Sequence, residues 1–333
     1  MTLKQSTHGT QETLEEEVAR LAREAEEEEE RQDAKREQDK AMQKLKIALE
    51  DKNLAICIGS GVTLYSTAQT DEKKTILSRL TWTGLIKSGL RYLDRQDIGV
   101  APESRDMGIG IARQVLDSKN ASTANLLDAA NILPRLLGKH YATWLALQFD
   151  DLASEVNHPS ILTYLNKLHK RGATIMTTNY DGLVEKWCDL PAVDGSNPGD
   201  VARWKRKQLQ AVFHPHGYWM APDTIVLTTT DYYKVQRSAE VQSALQSILG
   251  ARTVLFVGCG EGLNDPNFGK LLDEIPSDIG FNHYILLPGR NGKHSLTPVR
   301  DKPVITVRCN DYDDIGPWLA KLLGEEETEG VSE

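Results

Sequence analysis

The segment TTNYD (residues 177–181) carries the residues best suited to chemistry, and it directly follows the apolar residues 173–176. Asn179 supplies an amide and Asp181 a carboxylate, both just beyond a run that predicts a buried strand. Polar groups at a strand end are placed where a sheet presents side chains to a ligand. We therefore treat both as candidate catalytic residues, with one alternative for Asp181, which is to cap a helix that begins near Gly182.

A histidine-glycine pair, His216 and Gly217, follows the apolar residues 211–213. An imidazole at a strand end can accept a proton near neutral pH, so His216 is a third candidate catalytic residue. The alternative for a single histidine is a satisfied structural role. We interpret His214 as structural, because its side chain points to the opposite face if the strand continues.

Two glycine turns follow the apolar residues 54–58 and 253–257. They consist of Gly59, Ser60 and Gly61 in the first turn and Gly258, Cys259 and Gly260 in the second. In such turns the backbone N–H groups can approach a pyrophosphate. One G-x-G turn is weakly specific, because any tight turn explains it equally well. Two turns at one edge of a sheet favour a dinucleotide, with one half near each.

All these residues follow short apolar runs that alternate with amphipathic segments. This pattern predicts an α/β fold, in which a Rossmann-like parallel sheet has helices on both faces. The predicted strands are residues 54–58, 173–177, 211–213, 253–257, 284–287 and 304–307. The carboxyl ends of parallel strands share one edge, where open α/β sheets bind ligands, so we expect the candidate residues to converge there.

We expect three regions along the chain. They are a charged helical extension over residues 1–41, a Rossmann domain over 42–325 with a helical insertion at about 92–170, and a disordered tail over 326–333. Residues 11–51 are helix formers without Gly or Pro. We interpret the charged middle of this segment as a solvated helix, and the alternative is an arm that docks on another copy of the chain.

The composition excludes several classes of function. A hydrophobic content of 40% and a charged content of 26% are ordinary for a soluble globular protein. The net charge of −9 argues against a nucleic-acid partner. No apolar run approaches the ~20 residues that span a bilayer, and the N-terminus lacks a signal pattern, so we expect no membrane partner. The predicted location is the cytoplasm, or the nucleus if the source is eukaryotic.

The four cysteines are far apart and form no C-x-x-C pair. A cysteine zinc site of the usual spacing is therefore not expected, and we predict no metal cofactor.

The order of GSGVT (59–63), TTNYD (177–181), HG (216–217) and VGCG (257–260) resembles the motifs of the sirtuin-like superfamily. The resemblance covers about residues 52–322 and is closest to a divergent branch without a zinc ribbon. That branch includes bacterial antiphage NAD-consuming effectors and a related eukaryotic group. Thr63 stands at the family's serine position near the phosphates, with a helix N-cap as the alternative role.

The sequence also departs from the family. Deacylating sirtuins carry a four-cysteine zinc module and a G-I-P-D-F-R-like stretch after the first glycine turn. This chain has neither, and GVTLYSTAQ follows its first turn instead. Protein deacylation is therefore not expected.

The resemblance implies NAD as the ligand and hydrolysis to nicotinamide and ADP-ribose as the reaction. Asn179 would bind the ribose hydroxyls and position a water, and His216 would act as general base or ribose anchor. Asp181 would orient the nicotinamide amide or stabilise positive charge. The resemblance also implies a homo-oligomer or filament, formed through the N-terminal helix and the body, that controls activity. We expect three further cofactor contacts, from Thr178, Asp311 and Tyr312.

Two alternatives are kept. One is a non-catalytic NAD-binding protein that assembles as a sensor or scaffold, favoured by the charged arm and the missing nicotinamide-side motif. The other is a hydride-transferring dehydrogenase, which is disfavoured because the first turn lacks the full G-x-G-x-x-G spacing.

Overall fold

A computed structural model describes residues 14–68, 78–93, 102–116, 123–260, 283–289 and 304–325. The tail predicted over residues 326–333 lies outside these described residues, as does the start of the predicted N-terminal extension.

The described residues form a seven-stranded sheet in which every pair of neighbouring strands is parallel. The strands are β1 (Leu54–Ile58), β2 (Thr174–Thr177), β3 (Ala192–Asp194), β4 (Val212–His214), β5 (Thr253–Val257), β6 (His283–Pro288) and β7 (Val304–Cys309). Their order across the sheet is β3-β4-β2-β1-β5-β6-β7. This arrangement, flanked by helices, confirms the predicted α/β class and the Rossmann-like parallel sheet.

The strands that the sequence predicts most clearly are the central ones. Every residue of β1, β5 and β6 is buried, which matches their continuous apolar runs. The edge strand β3 was not predicted. It has three residues and ends in an aspartate, so it offers too short a pattern for a periodicity argument.

The helices are α1 (Leu14–Glu50), α2 (Ser60–Ser66), α3 (Trp82–Leu93), α4 (Pro102–Leu116), α5 (Thr123–Leu137), α6 (Tyr141–Phe149), α7 (Ser160–Lys170), α8 (Leu183–Cys188), α9 (Pro198–Lys205), α10 (Thr229–Arg237), α11 (Ala239–Ala251) and α12 (Ile315–Leu323). Among the described residues between β1 and β2, the regular elements are helical throughout.

The chain divides into two compact units, Met1–Lys44 and Leu45–Glu333. In the first unit, residues 14–44 belong to α1 and carry ion pairs between residues three or four apart, such as Arg20 with Glu24 and Lys40 with Glu37. Such pairs support an exposed helix without a hydrophobic core. The last turns of α1 belong to the second unit, where Leu45 and Leu49 are buried.

The topology reverses at β1. This strand pairs with β2 on one side and with β5 on the other, so the chain builds one half of the sheet before it returns to add the second. In an open α/β sheet, ligands bind in the crevice beyond the carboxyl ends of the strands at such a switch point. The turns after β1 and β5 and the segment TTNYD after β2 all lie at this edge.

Candidate functional site

The two glycine turns pack directly against each other. The N–H of Gly61 donates to the carbonyl of Gly258 over 2.9 Å, and the N–H of Gly59 donates to the carbonyl of Val257 over 2.9 Å. A Cβ on Gly59 would lie 2.5 Å from Cα of Cys259. The backbones therefore approach too closely for a side chain at this point. The predicted role of both turns in holding a pyrophosphate stays a prediction, and it cannot use these two N–H groups, which are already bonded.

The outer residues of the two turns are more open. Ser60 is exposed, and an added Cβ on Gly260 would meet no described atom within 4 Å. The thiol of Cys259 donates to the carbonyl of Cys57 over 3.4 Å. Of the residues in these turns, Ser60 and Gly260 are thus the ones best placed to meet a ligand.

Thr63, Asn179 and Asp181 form a buried hydrogen-bonded network, in which they are 3%, 8% and 5% exposed. The hydroxyl of Thr63 donates to Oδ2 of Asp181 over 2.7 Å. It accepts a hydrogen bond from Nδ2 of Asn179 over 3.0 Å. The contact forms because α2 follows β1 and the TTNYD segment follows β2, and these strands pair side by side.

This network fixes the direction of the Asn179 amide. A hydroxyl has one proton, and the hydroxyl of Thr63 uses it to donate a hydrogen bond to Asp181. The oxygen of Thr63 must therefore accept, so the NH₂ group of Asn179 faces it. The Oδ1 carbonyl of Asn179 consequently faces away from Thr63 and is available to accept a hydrogen bond from a ligand hydroxyl.

Asp181 also bonds the start of α8, whose N-cap position is occupied by Gly182 and not by Asp181. Its Oδ1 accepts a hydrogen bond from the N–H of Leu183 over 3.1 Å, in the first turn of α8. Burial raises the pKa of Asp181, while the hydrogen bonds from Thr63 and Leu183 oppose that rise. One carboxylate therefore bonds both the first turn of α8 and the hydroxyl of Thr63.

Two threonines anchor the TTNYD segment to the end of β1. The hydroxyl of Thr177 donates to the carbonyl of Ile58 over 2.9 Å and accepts the N–H of Asn179 over 3.1 Å. The N–H of Thr178 donates to the same carbonyl over 3.0 Å. Thr178 thus shapes the backbone of the loop, and its predicted contact with a cofactor stays a prediction.

His214 contacts the same loop from the neighbouring strand. Its Nδ1 lies 3.0 Å from the backbone carbonyl of Asn179, and its Nε2 is bonded to the carboxylate of Glu185 in α8. Burial favours a lower pKa for His214, but the Glu185 carboxylate, the Asn179 carbonyl and the Asp181 charge together raise it. The strand ends at His214, so the alternation that we used to direct its side chain to the other face does not continue.

Sequence reasoning missed Glu185. The residue is buried among Leu183, Val184 and Cys188 in a short helix, where a charge needs a partner. That mismatch between a charge and its apolar neighbours was the feature that could have identified it.

His216 is buried in the turn that follows β4. Its carbonyl accepts the N–H of Val226 over 2.9 Å, and its ring meets the ring of Tyr232 edge-on at 6.0 Å. Gly217 has a φ of +86°, and a Cβ there would lie 2.1 Å from the carbonyl oxygen of Thr224. The glycine that follows the histidine is therefore required by the turn itself.

The loops that carry Asn179 and His216 are tied together. The hydroxyl of Tyr180 donates to the carbonyl of Val226 over 2.6 Å, and the N–H of Trp219 donates to the carbonyl of Tyr180 over 3.0 Å. Together with the His214 contact, these bonds hold the two strand-end loops in one arrangement.

The helical segment between β1 and β2 contacts the Asn179 loop and the first residue of α10. Asn131 in α5 makes two hydrogen bonds to Thr229, one from its amide to the hydroxyl over 3.0 Å and one from the Thr229 N–H over 2.8 Å. Phe149 in α6 packs edge-on against Tyr180, with ring centroids 6.3 Å apart. These contacts place the segment beside the Asn179 loop and the start of α10.

Asp311 and Tyr312 take part in other contacts. Tyr312 stacks on Tyr65 in α2, with centroids 6.3 Å apart and an interplanar angle of 17°. Oδ1 of Asp311 accepts the N–H of Asp313 over 2.9 Å, and Asp313 accepts the hydroxyl of Tyr65 over 2.6 Å. The structure therefore shows both residues beside Tyr65 and gives them no bond to the Thr63 network among the described residues. Their predicted contact with the cofactor stays a prediction.

Within the described part of the chain, no cluster of three or more His, Cys, Asp or Glu residues could hold a metal ion. The described helices also include none with the length and apolar character needed to cross a membrane.

A comparison with protein families places part of this chain in a known family model. Residues 173–304 match the family model described as a SIR2-like domain. The matched segment starts just before β2, contains Asn179, Asp181 and His216, and ends at the first residue of β7.

Proposed function

We propose that this chain, a member of the sirtuin-like superfamily through the SIR2-like domain at residues 173–304, is an NAD glycohydrolase. The SIR2-like domain indicates an NAD-related function. The observation that carries the more specific proposal is the buried network of Asn179, Thr63 and Asp181, held against the loop of His216.

The proposed reaction breaks the bond between C1′ of the ribose and N1 of the nicotinamide. The bonding electron pair goes to N1, which neutralises the pyridinium, and positive charge develops on the ribose as an oxocarbenium-like centre. Water then attacks C1′ and loses a proton, which gives ADP-ribose. Such a reaction needs a fixed ribose, a positioned water and groups that tolerate the positive charge.

Asn179 meets the first two needs. The Thr63 contact fixes its amide, so Oδ1 is presented for a ribose hydroxyl or the attacking water. An amide is also neutral, so it does not trap the cationic centre as a covalent adduct.

Asp181 and His216 supply the charge and the proton acceptor. The buried carboxylate of Asp181 stabilises the positive charge on the ribose, and its two hydrogen bonds keep it in place. His216 accepts the proton of the attacking water or anchors the ribose. The sequence lacks the zinc module and the nicotinamide-side motif of deacylating sirtuins, which supports hydrolysis of NAD rather than protein deacylation.

We also propose that the protein acts in the cytoplasm and that assembly into a homo-oligomer or filament controls its activity. The largely exposed, ion-paired part of α1 between residues 19 and 40 supports a role in assembly. A hydrolase that consumed NAD at all times would deplete the cell, so low activity of the dilute protein is expected.

The test is nicotinamide release from NAD by the purified protein at low and high concentration. Asn179→Ala and His216→Ala should abolish release while calorimetry still detects NAD binding. Asn166→Ala is a matched control, because this half-buried asparagine also donates from its amide, over 2.8 Å to the carbonyl of Trp187, but lies outside the network. It should keep full turnover. NAD binding without any release by the wild type would favour the non-catalytic sensor or scaffold instead.

A further inference from the structure

We propose that Glu185 and His214 form a positioning pair that holds the backbone of Asn179, and thereby its amide, in the reactive orientation. This inference rests on the proposed function, because it concerns the orientation of a residue that acts on the ribose. Neither residue is needed to contact NAD.

The geometry forms a chain of contacts from α8 to the candidate catalytic amide. The Glu185 carboxylate bonds Nε2 of His214, so the ring cannot rotate without breaking that bond. The opposite nitrogen, Nδ1, then points at the carbonyl of Asn179 over 3.0 Å. His214 is fully buried and Glu185 nearly so, so water does not compete for either contact.

His214 also reaches the second candidate loop. Its own carbonyl accepts the N–H of Gly217 over 3.1 Å, which closes the turn that carries His216. One residue therefore bonds the Asn179 loop through its ring and the His216 turn through its backbone. This position between the two loops is what distinguishes His214 from an ordinary buried histidine.

The surroundings favour a ring that is protonated on both nitrogens. The groups facing the ring are the carboxylates of Glu185 and Asp181, the Asn179 carbonyl and the ring of Tyr218, whose centroid is 4.9 Å away. With both nitrogens protonated, Nε2 donates to Glu185 and Nδ1 donates to Asn179 simultaneously. The pair is then neutral as a whole and adds no net charge next to the developing cation.

Two substitutions separate the two contacts of the ring. Asparagine places its amide nitrogen where Nδ1 lies, so His214→Asn keeps a donor for the Asn179 carbonyl and loses the bond to Glu185. Glutamine places its amide nitrogen where Nε2 lies, so His214→Gln keeps the bond to Glu185 and loses the donor for Asn179.

The proposal predicts that the more active of the two variants is the less stable one. His214→Asn should retain kcat for nicotinamide release better than His214→Gln, in which kcat falls about 100-fold because the reacting group is displaced. His214→Asn should nevertheless have the lower Tm, because it leaves a buried carboxylate unpaired. NAD affinity should be unchanged in both variants. A kcat that simply follows Tm across the two variants would indicate a structural role and overturn the proposal.

His283 gives a matched control. It is a buried histidine whose Nδ1 accepts a hydrogen bond from the N–H of Val254 over 3.3 Å. His283 is the first residue of β6, so it lies at the amino ends of the strands, opposite the carboxyl edge that carries the site. His283→Asn and His283→Gln should change Tm and leave kcat unaltered. A loss of kcat equal to that in the His214 variants would overturn the proposal.

A second measurement does not depend on activity. Nitrogen-15 spectra of the histidine rings, assigned with His214→Gln, should show a proton on Nδ1 of His214, the ring nitrogen that faces the carbonyl of Asn179. A ring without a proton on Nδ1 would overturn the positioning pair whatever the enzyme does. If Nδ1 carries a proton but the wild type releases no nicotinamide at any concentration, the proposed function fails, and with it the catalytic role of the pair. An active wild type with equal kcat in the two His214 variants overturns this inference alone.

Discussion

Replacing Thr63 by valine removes the one hydroxyl that joins Asn179 to Asp181 while keeping the shape of the side chain. Thr63 is buried, donates to Asp181 over 2.7 Å and accepts from Asn179 over 3.0 Å. Valine can do neither. Two buried polar groups therefore lose a partner at once, one of them a carboxylate that burial already disfavours.

The loss of stability in Thr63→Val can be worked out from the two polar groups that lose their partner, the amide of Asn179 and the carboxylate of Asp181. A buried polar group without a partner costs about 1–3 kcal/mol, so Thr63→Val should lower the free energy of unfolding by about 2–6 kcal/mol. The freed amide of Asn179 can also rotate, and misplacing a reacting group costs about 100-fold in rate. Thr63→Ser keeps the hydroxyl and loses one methyl, so it should cost about 1 kcal/mol and keep most of the turnover.

The assay pairs urea unfolding with nicotinamide release from NAD below the unfolding transition. Thr67→Val is the control. The hydroxyl of Thr67 is also buried and donates to the carbonyl of Thr63 over 2.8 Å, but that carbonyl keeps the bond from the Thr67 N–H. The loss of the Thr67 hydroxyl should lower the free energy of unfolding by no more than about 1 kcal/mol and leave kcat unchanged. Equal stability and equal turnover in Thr63→Val and Thr63→Ser would refute the argument that the hydroxyl organises the site.

The other predictions concern the turns and the buried carboxylate. Gly217→Ala should lower stability by about 3 kcal/mol or more in urea unfolding, because φ is +86° and the new Cβ would lie 2.1 Å from the carbonyl of Thr224. Gly59→Ala should be similarly damaging, since its Cβ would lie 2.5 Å from the backbone of the turn after β5. Gly250→Ala, whose Cβ meets no described atom within 4 Å in α11, should be neutral or stabilising in the same assay. Because the folded-state pKa of Asp181 is raised, its contribution to stability is present at low pH and is lost as the pH rises through that pKa. The stability of the wild type relative to Asp181→Asn should therefore fall as the pH rises above about 4, and a constant difference would contradict this sign.

The sheet could be predicted because its central strands are buried on both faces. The continuous apolar runs of β1 and β5 leave little choice of element, and the polar residues after them mark the carboxyl edge. The strand β3 escaped prediction because its three residues at the sheet edge include an aspartate. A local pattern indicates a strand most clearly where burial constrains every residue in it, as in β1 and β5.

The site was harder to predict than the sheet, because its contacts join distant parts of the chain. The pattern singled out Thr63 and Asp181 separately, but it could not show that a hydrogen bond connects them across 118 positions. It also interpreted Gly59 and Gly61 through a ligand, whereas in the structure the N–H of Gly59 bonds the last residue of β5 and the N–H of Gly61 bonds the second glycine turn. A glycine motif gives the same sequence whether a phosphate or a second backbone approaches it.

The buried charges of the site favour a cationic ligand. The Glu185 carboxylate is matched by His214, which leaves Asp181 as the carboxylate whose pKa burial has raised. The nicotinamide ring of NAD carries a positive charge and that of NADH does not. A cation near Asp181 favours its ionised form and lowers its pKa.

The binding preference for NAD over NADH should therefore grow as the pH rises through the raised pKa of Asp181, because above that pKa the carboxylate is already ionised in the free protein. Calorimetry with both nucleotides across this range checks the expectation, with Asp181→Asn as the reference, in which the preference should not vary with pH. A wild-type preference that is equally flat would show that the carboxylate does not face the nicotinamide ring.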